Sequence, residues 1–171
     1  NGKPYVQFDG SNDFMEIAYS AFFNSEEFTV FAVAKTDATA GDQPVFSSIE
    51  GTTGGSNAKG YALRYKDVST NFESSAYWQE GSTTDDLGSG NGTVKNTNAF
   101  LTSYVMKDTN SDSESDEVEL YLNGGVEISQ SSGVDYQPNT SASFKIGEMG
   151  SDYFQGGIYE IIVYNRALSV S

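Results

Sequence analysis

Apolar residues recur at every second position in short runs along most of this chain, and nowhere at convincing helical spacing. A period of two belongs to an extended strand, whose successive side chains point to opposite faces; a helix needs three to four. The pattern predicts strands at residues 5–8, 14–17, 45–49, 61–66, 72–80, 100–107, 118–122, 126–129, 144–147 and 158–164. Residues 28–35, Phe-Thr-Val-Phe-Ala-Val-Ala-Lys, are apolar on both faces, as a central strand should be. Asn123-Gly124 predicts a two-residue hairpin, because a type I′ turn needs positive φ at both central positions. Only residues 19–26 leave room for a helical turn, and the polar stretch 81–98 reads as the longest loop. So many short strands at this spacing predict an all-β fold, a two-sheet antiparallel β-sandwich of the jelly-roll type.

Length and charge narrow the function. A chain of 171 residues is expected to form one domain, 1–171, with a substantial two-layer core. The net charge of −15, from 24 acidic and 9 basic residues, argues against nucleic acid or an anionic membrane as partner, since both need a basic footprint. The chain has no Cys, which a secreted domain of this size can do without. It also has no His, which removes Ser-His, Cys-His and His-metal arrangements. The longest apolar runs are strand-sized, too short for a membrane span or a signal sequence. We read the chain as a module excised from a longer secreted protein, acting outside the cell or at its surface.

Phe8-Asp9-Gly10-Ser11-Asn12-Asp13-Phe14-Met15-Glu16-Ile17 at one end and Gly157-Ile158-Tyr159-Glu160-Ile161-Ile162-Val163-Tyr164-Asn165-Arg166-Ala167-Leu168-Ser169 at the other bracket residues 28–35, 61–66 and Glu119-Leu120-Tyr121-Leu122-Asn123-Gly124. This ordered set resembles the laminin-G-like branch of the concanavalin A-like jelly rolls, over nearly the whole chain. The resemblance implies carbohydrate recognition, often with a structural calcium, and in some branches glycoside hydrolysis or lyase chemistry. Because such folds set the first and last strands side by side, it also implies that Asp9 and Asp13 face Glu160 as oxygen ligands for Ca²⁺. The other reading of Asp9 and Asp13 is that they only cap their turn.

Two further acidic motifs overlap. Residues 108–119 place oxygen-bearing side chains at the spacing of an EF-hand loop, but Ser113 stands where that loop needs Gly, and strands rather than helices flank it. Glu114-Ser115-Asp116-Glu117-Val118-Glu119 fits the E-x-D-x-x-E spacing of retaining family-16 glycoside hydrolases, with polar Ser115 and Glu117 where packing residues belong. We read both as an acidic, solvated hairpin tip.

The candidate sugar face lies on the middle strands. If Leu63 points inward, Arg64 and Lys66 point outward; on the next strand Tyr77 and Gln79 would point out and Trp78 in, unless a bulge swaps them. Aromatic faces stack on sugar rings, and Arg, Asn, Gln and Asp bond their hydroxyls. We therefore expect a carbohydrate site at Lys35, Arg64, Lys66, Tyr77, Trp78 and Gln79, with Tyr153 closing one end and Phe154 packing inward. Three of the chain's nine basic residues, Lys35, Arg64 and Lys66, fall on neighbouring segments, which would suit an acidic or sulfated glycan. An exposed Arg64 would support little of the fold. The reading is a non-catalytic carbohydrate-binding module for an extracellular polysaccharide or oligosaccharide, tethered to catalytic or surface modules. The alternatives are a calcium-dependent adhesion or protein-recognition domain, and a cryptic glycoside hydrolase or polysaccharide lyase.

Overall fold

The computed structural model describes residues 2–53, 55–69, 71–88, 94, 98–107, 117–131 and 136–169, with side chains throughout except at 80, 85 and 126–131. Two six-stranded antiparallel sheets face each other. The first has the order β1 (Val6–Asp9), β14 (Gln155–Tyr164), β3 (Phe28–Thr36), β8 (Phe100–Lys107), β9 (Glu117–Leu122) and β10 (Gly125–Ser131). The second runs β2 (Met15–Ile17), β11 (Phe144–Ile146), β4 (Gln43–Glu50), β5 (Lys59–Asp67), β6 (Phe72–Glu80) and β7 (Thr83–Gly88). A small hairpin, β12 (Glu148–Met149) and β13 (Asp152–Tyr153), connects β11 to β14. This is the expected jelly-roll sandwich. Among the described residues the helical content is one 3₁₀ turn, Ala21–Phe23, capped by the Ser20 hydroxyl, which accepts from Phe22 N.

The core follows from the alternation. Phe28, Val30, Ala32 and Ala34 of the central strand β3 are buried, and Phe31, Val33 and Lys35 face away. Opposite them, β5 sends Tyr61, Leu63 and Tyr65 inward, and β6 sends Phe72, Ala76 and Trp78. Phe28 stacks on Tyr61 at 4.0 Å between ring centroids, and Phe46 on Phe144 at 5.4 Å. Burying each such side chain contributes roughly 1.5–3 kcal/mol. Two of the buried tyrosine hydroxyls bond across the sandwich: Tyr65 donates to Ala34 O at 3.1 Å and Tyr104 to Tyr77 O at 3.4 Å. Asn123 and Gly124 have φ of 53° and 80°, the expected type I′ pair between β9 and β10.

Two expectations are corrected. Residues 83–88, read as part of a loop, form strand β7, the outer edge of the second sheet. Leu87 is buried there and Asp86 pairs with basic residues of β5, so a strand with one apolar anchor is held by its neighbours rather than by its own hydrophobicity. The calcium seam does not assemble either. Asp9 pairs with Gln155 and Val6 with Ile158, so Glu160 lies beyond the far end of β1 from Asp9, roughly 15 Å along the strand at about 3.3 Å per residue. Asp9 Oδ1 instead accepts from Ser11 N at 2.8 Å and Asn12 N at 3.4 Å, and Asp13 accepts from Asp9 N at 3.2 Å. These are turn-capping bonds. Among the described residues no three Asp or Glu side chains gather where they could hold a metal ion, so Asp9, Asp13 and Glu160 do not fit Ca²⁺ together. Residues 108–116, which carry most of the first acidic motif and half of the second, lie outside the described residues. Glu119, the last carboxylate of both, accepts from Lys107 Nζ and from the Tyr121 hydroxyl.

Candidate functional site

The outward face of the second sheet carries a groove of about 890 Å³. It crosses from β2 and β11 over β4 to β5, a width of roughly 14 Å at about 4.8 Å per strand. Register explains its composition. Glu16 lies opposite Lys145, so both project to the outer side, and Phe14 shares the parity of Glu16. Phe14 is 43% exposed, with Lys145 Nζ 5.3 Å from its ring centroid. Lys145 also binds Glu148 at 2.7 Å, and the Ser143 hydroxyl donates to Glu16. The groove thus has an accessible aromatic ring beside one wall.

Arg64 forms the other wall. Its Nη1 binds Asp42 at 2.7 Å and its Nη2 binds Asp86 at 2.9 Å, while Lys66 Nζ reaches Asp86 at 2.7 Å. The guanidinium carbon sits 5.1 Å from the Tyr77 ring centroid. Two carboxylates and an aromatic face hold it in one orientation.

The hairpin β12–β13 bounds one end. Met149 packs on Ala62, Tyr77 and Ile49, a small apolar cluster on the outer face. Ser47 Oγ donates to Glu148 O at 2.7 Å, and Gly147 N to Val45 O at 3.1 Å. Asp152 projects from this hairpin into the groove. Burial, and then the charge of Asp42, push its carboxyl above the ordinary aspartate range, against the opposing pull of Arg64. A buried Asn24–Ser48–Asn139 network ties the rim at 141–143 to β4: Asn139 donates to Ser48 O at 3.0 Å and accepts from Ala142 N at 3.0 Å.

The residues expected from sequence divide. Arg64, Lys66 and Tyr77 come together on the outer face, with no bulge between β5 and β6. Tyr77 keeps only 5% exposure, so it supports Arg64 from below rather than offering a face to a sugar. Trp78 is fully buried in the core, and Gln79 is buried too, accepting from the Tyr77 hydroxyl at 2.9 Å. Neither presents surface to a ligand. Lys35 stands on the first sheet, paired with Asp37 at 2.7 Å, and so belongs to the opposite side of the sandwich. Tyr153 pairs across the hairpin with Glu148, and its neighbour Asp152 lines the groove. Phe154 packs inward, edge-on to Phe8. The cluster of three free cations therefore does not form. Sequence reasoning missed Phe14, Asp42, Asp86, Lys145 and Asp152, whose roles depend on which strands become neighbours. The period-two link between Phe14 and Glu16 was the one local signal.

Comparison with known proteins places the fold. The carbohydrate-binding module of a Ruminococcus gnavus IT-sialidase, bound to alpha2,3 sialyllactose, superposes with a TM-score of 0.70 at 14% identity, covering 98% of this chain and 92% of that one. Domain 4 of an extracellular arabinanase from Geobacillus stearothermophilus, in complex with arabinotriose, gives 0.62 at 14% identity, covering 97% and 84%. Domains LG4-5 of the mouse laminin alpha1 chain give 0.61 at 8% identity, covering 99% of this chain and 45% of that one. At such identities the likeness is one of fold. No curated protein matches the chain in sequence. The sequence model of the concanavalin A-like lectin/glucanases superfamily matches residues 8–171, nearly the whole chain, and this protein belongs to that family.

Proposed function

We propose that this protein is a non-catalytic carbohydrate-binding module that holds an extracellular polysaccharide in the groove on the outer face of its second sheet, alongside a tethered catalytic or surface module. The observation that carries the reading is the groove itself. It has an exposed ring at Phe14 beside one wall, an immobilised Arg64 in the other, and hydroxyl and carboxylate groups between them. Sugars need this combination: an aromatic face for their C–H groups and fixed donors and acceptors for their hydroxyls. The non-catalytic part rests on how the carboxylates are used. Asp42 and Asp86 are bound to Arg64, and Glu148 to Lys145, so these three acids serve as positioned acceptors; Glu16 and Asp152 are the groove carboxylates outside those pairs, and release of reducing ends is the readout that would give them the roles of acid and nucleophile.

Affinity electrophoresis through gels containing single polysaccharides tests the proposal. At least one polymer should retard the protein without release of reducing ends. Phe14→Ala should weaken that retardation by about 1 kcal/mol, the scale of a lost stacking contact. Release of reducing ends from a retarding polymer would sink the non-catalytic reading. Retardation unchanged in Phe14→Ala and in Arg64→Met would move the site off this groove.

A further inference from the structure

We infer, building on the groove as the glycan site, that it selects neutral, hydroxyl-only sugars and excludes carboxylated or sulfated ones. Its cations are already committed. Arg64 is divided between Asp42 and Asp86, Lys66 is held by the same Asp86, and Lys145 by Glu148. At Arg64 the layering puts the carboxylates outermost, whereas Lys66 (33% against 29% for Asp86) and Lys145 (31% against 9% for Glu148) reach solvent and offset only part of the surrounding negative charge. The Arg64 side chain is 11% exposed, against 25% for Asp42 and 29% for Asp86. The carboxylates therefore stand outside the guanidinium they flank. Arg64 Nε has no hydrogen-bond partner but is sealed from solvent, so it offers no free donor to an incoming anion.

The remaining ionisable groups reinforce this. Glu16 accepts from Ser143 and Asp152 lies in the groove; among the described residues neither makes an ion pair. Burial first, and then the charge of Asp42, raise the Asp152 carboxyl against the pull of Arg64, so Asp152 adds a carboxylate beside Asp42 at this wall. An anionic sugar would have to compete with Asp42, Asp86 and Glu148 for cations they already hold, at a groove where five carboxylates (those three with Glu16 and Asp152) outnumber three cations (Arg64, Lys66 and Lys145). A hydroxyl brings no charge into that field: it can donate to an exposed carboxylate and accept from a lysine N–H that the ion pair leaves unused. The net charge of −15 adds a longer-range repulsion of polyanions at low salt.

The test is affinity electrophoresis of the whole chain against neutral polymers (arabinan, galactan, mixed-linkage glucan) and acidic ones (polygalacturonate, alginate, carrageenan), at low and at physiological salt. Retardation is expected from a neutral polymer and little affected by salt, with every acidic polymer weaker by about tenfold or more. Asp86→Asn, checked for an intact melting transition, should free half of Arg64 and Lys66, and so admit an acidic polymer in a salt-sensitive way. Wild-type retardation by an acidic polymer that Arg64→Met abolishes would overturn the selectivity while leaving the groove as the glycan site. Retardation by no polymer, or by one indifferent to both Phe14→Ala and Arg64→Met, would remove the site itself and the selectivity with it.

Discussion

Arg64→Met is the perturbation whose cost follows most directly from the geometry. Methionine keeps an unbranched stem over Tyr77 and deletes the charge, so the change isolates the ion pairs from packing. Two N–O contacts of 2.7 and 2.9 Å place the charge centres at about 4 Å. Each pair attracts by roughly 4 kcal/mol at an effective dielectric constant of about 20. Desolvation of a side chain only 11% exposed offsets much of that. Charged hydrogen bonds contribute about 1.5–3 kcal/mol each in mutational series. Discounting for partners that keep a quarter or more of their exposure, and because Asp86 keeps Lys66 and Asp42 keeps the Asp67 amide, the net loss should be about 2–3 kcal/mol. Urea unfolding at pH 7 reads this directly, and m should stay constant. A cycle with Asp86→Asn should show a coupling of about 1 kcal/mol or more. A loss below about 0.5 kcal/mol, or additivity within about 0.3 kcal/mol, would show that the carboxylates do not hold the guanidinium.

Other consequences can be checked on the same preparations. Trp78→Ala should cost about 3–5 kcal/mol in urea unfolding because the indole is fully buried, and should leave glycan retardation of the folded fraction unchanged. Asp152→Asn should raise stability at neutral pH. A carboxyl whose folded pKa is raised penalises the fold once pH climbs through that pKa, and the advantage should vanish near pH 3, below the unfolded value. Asp9→Ala should cost about 1 kcal/mol through its turn bonds, equally with excess Ca²⁺ and with chelator. A Ca²⁺-dependent difference in melting temperature between wild type and this variant would restore the cation to the seam.

Period two settled what a single strand can settle. It oriented Arg64, Lys66 and Tyr77 outward and Trp78 inward, and the Asn123-Gly124 turn chemistry marked its hairpin. It could not say which sheet a strand joins. Lys35 and Arg64 both point away from the core, yet β3 and β5 lie in different sheets, so two outward cations end on opposite surfaces. It could not give register either, and the β1–β14 pairing alone separates Asp9 from Glu160. Nor could it see that Arg64 would be sunk between Asp42 and Asp86. The residue read as exposed and dispensable to folding is largely buried, and its partners come from a turn and from a strand that looked like loop. Pairing between distant segments carries no local pattern, and this groove is made of such pairings.

A titration followed by amide NMR, with an oligosaccharide cut from the best-retarding polysaccharide, tests the central claim most directly. Shifts should concentrate on β2, β11, β5 and the β12–β13 hairpin, around Phe14, Lys145, Arg64 and Asp152. Shifts confined to the outer face of the first sheet around Lys35, or to segments away from these strands, would contradict the account.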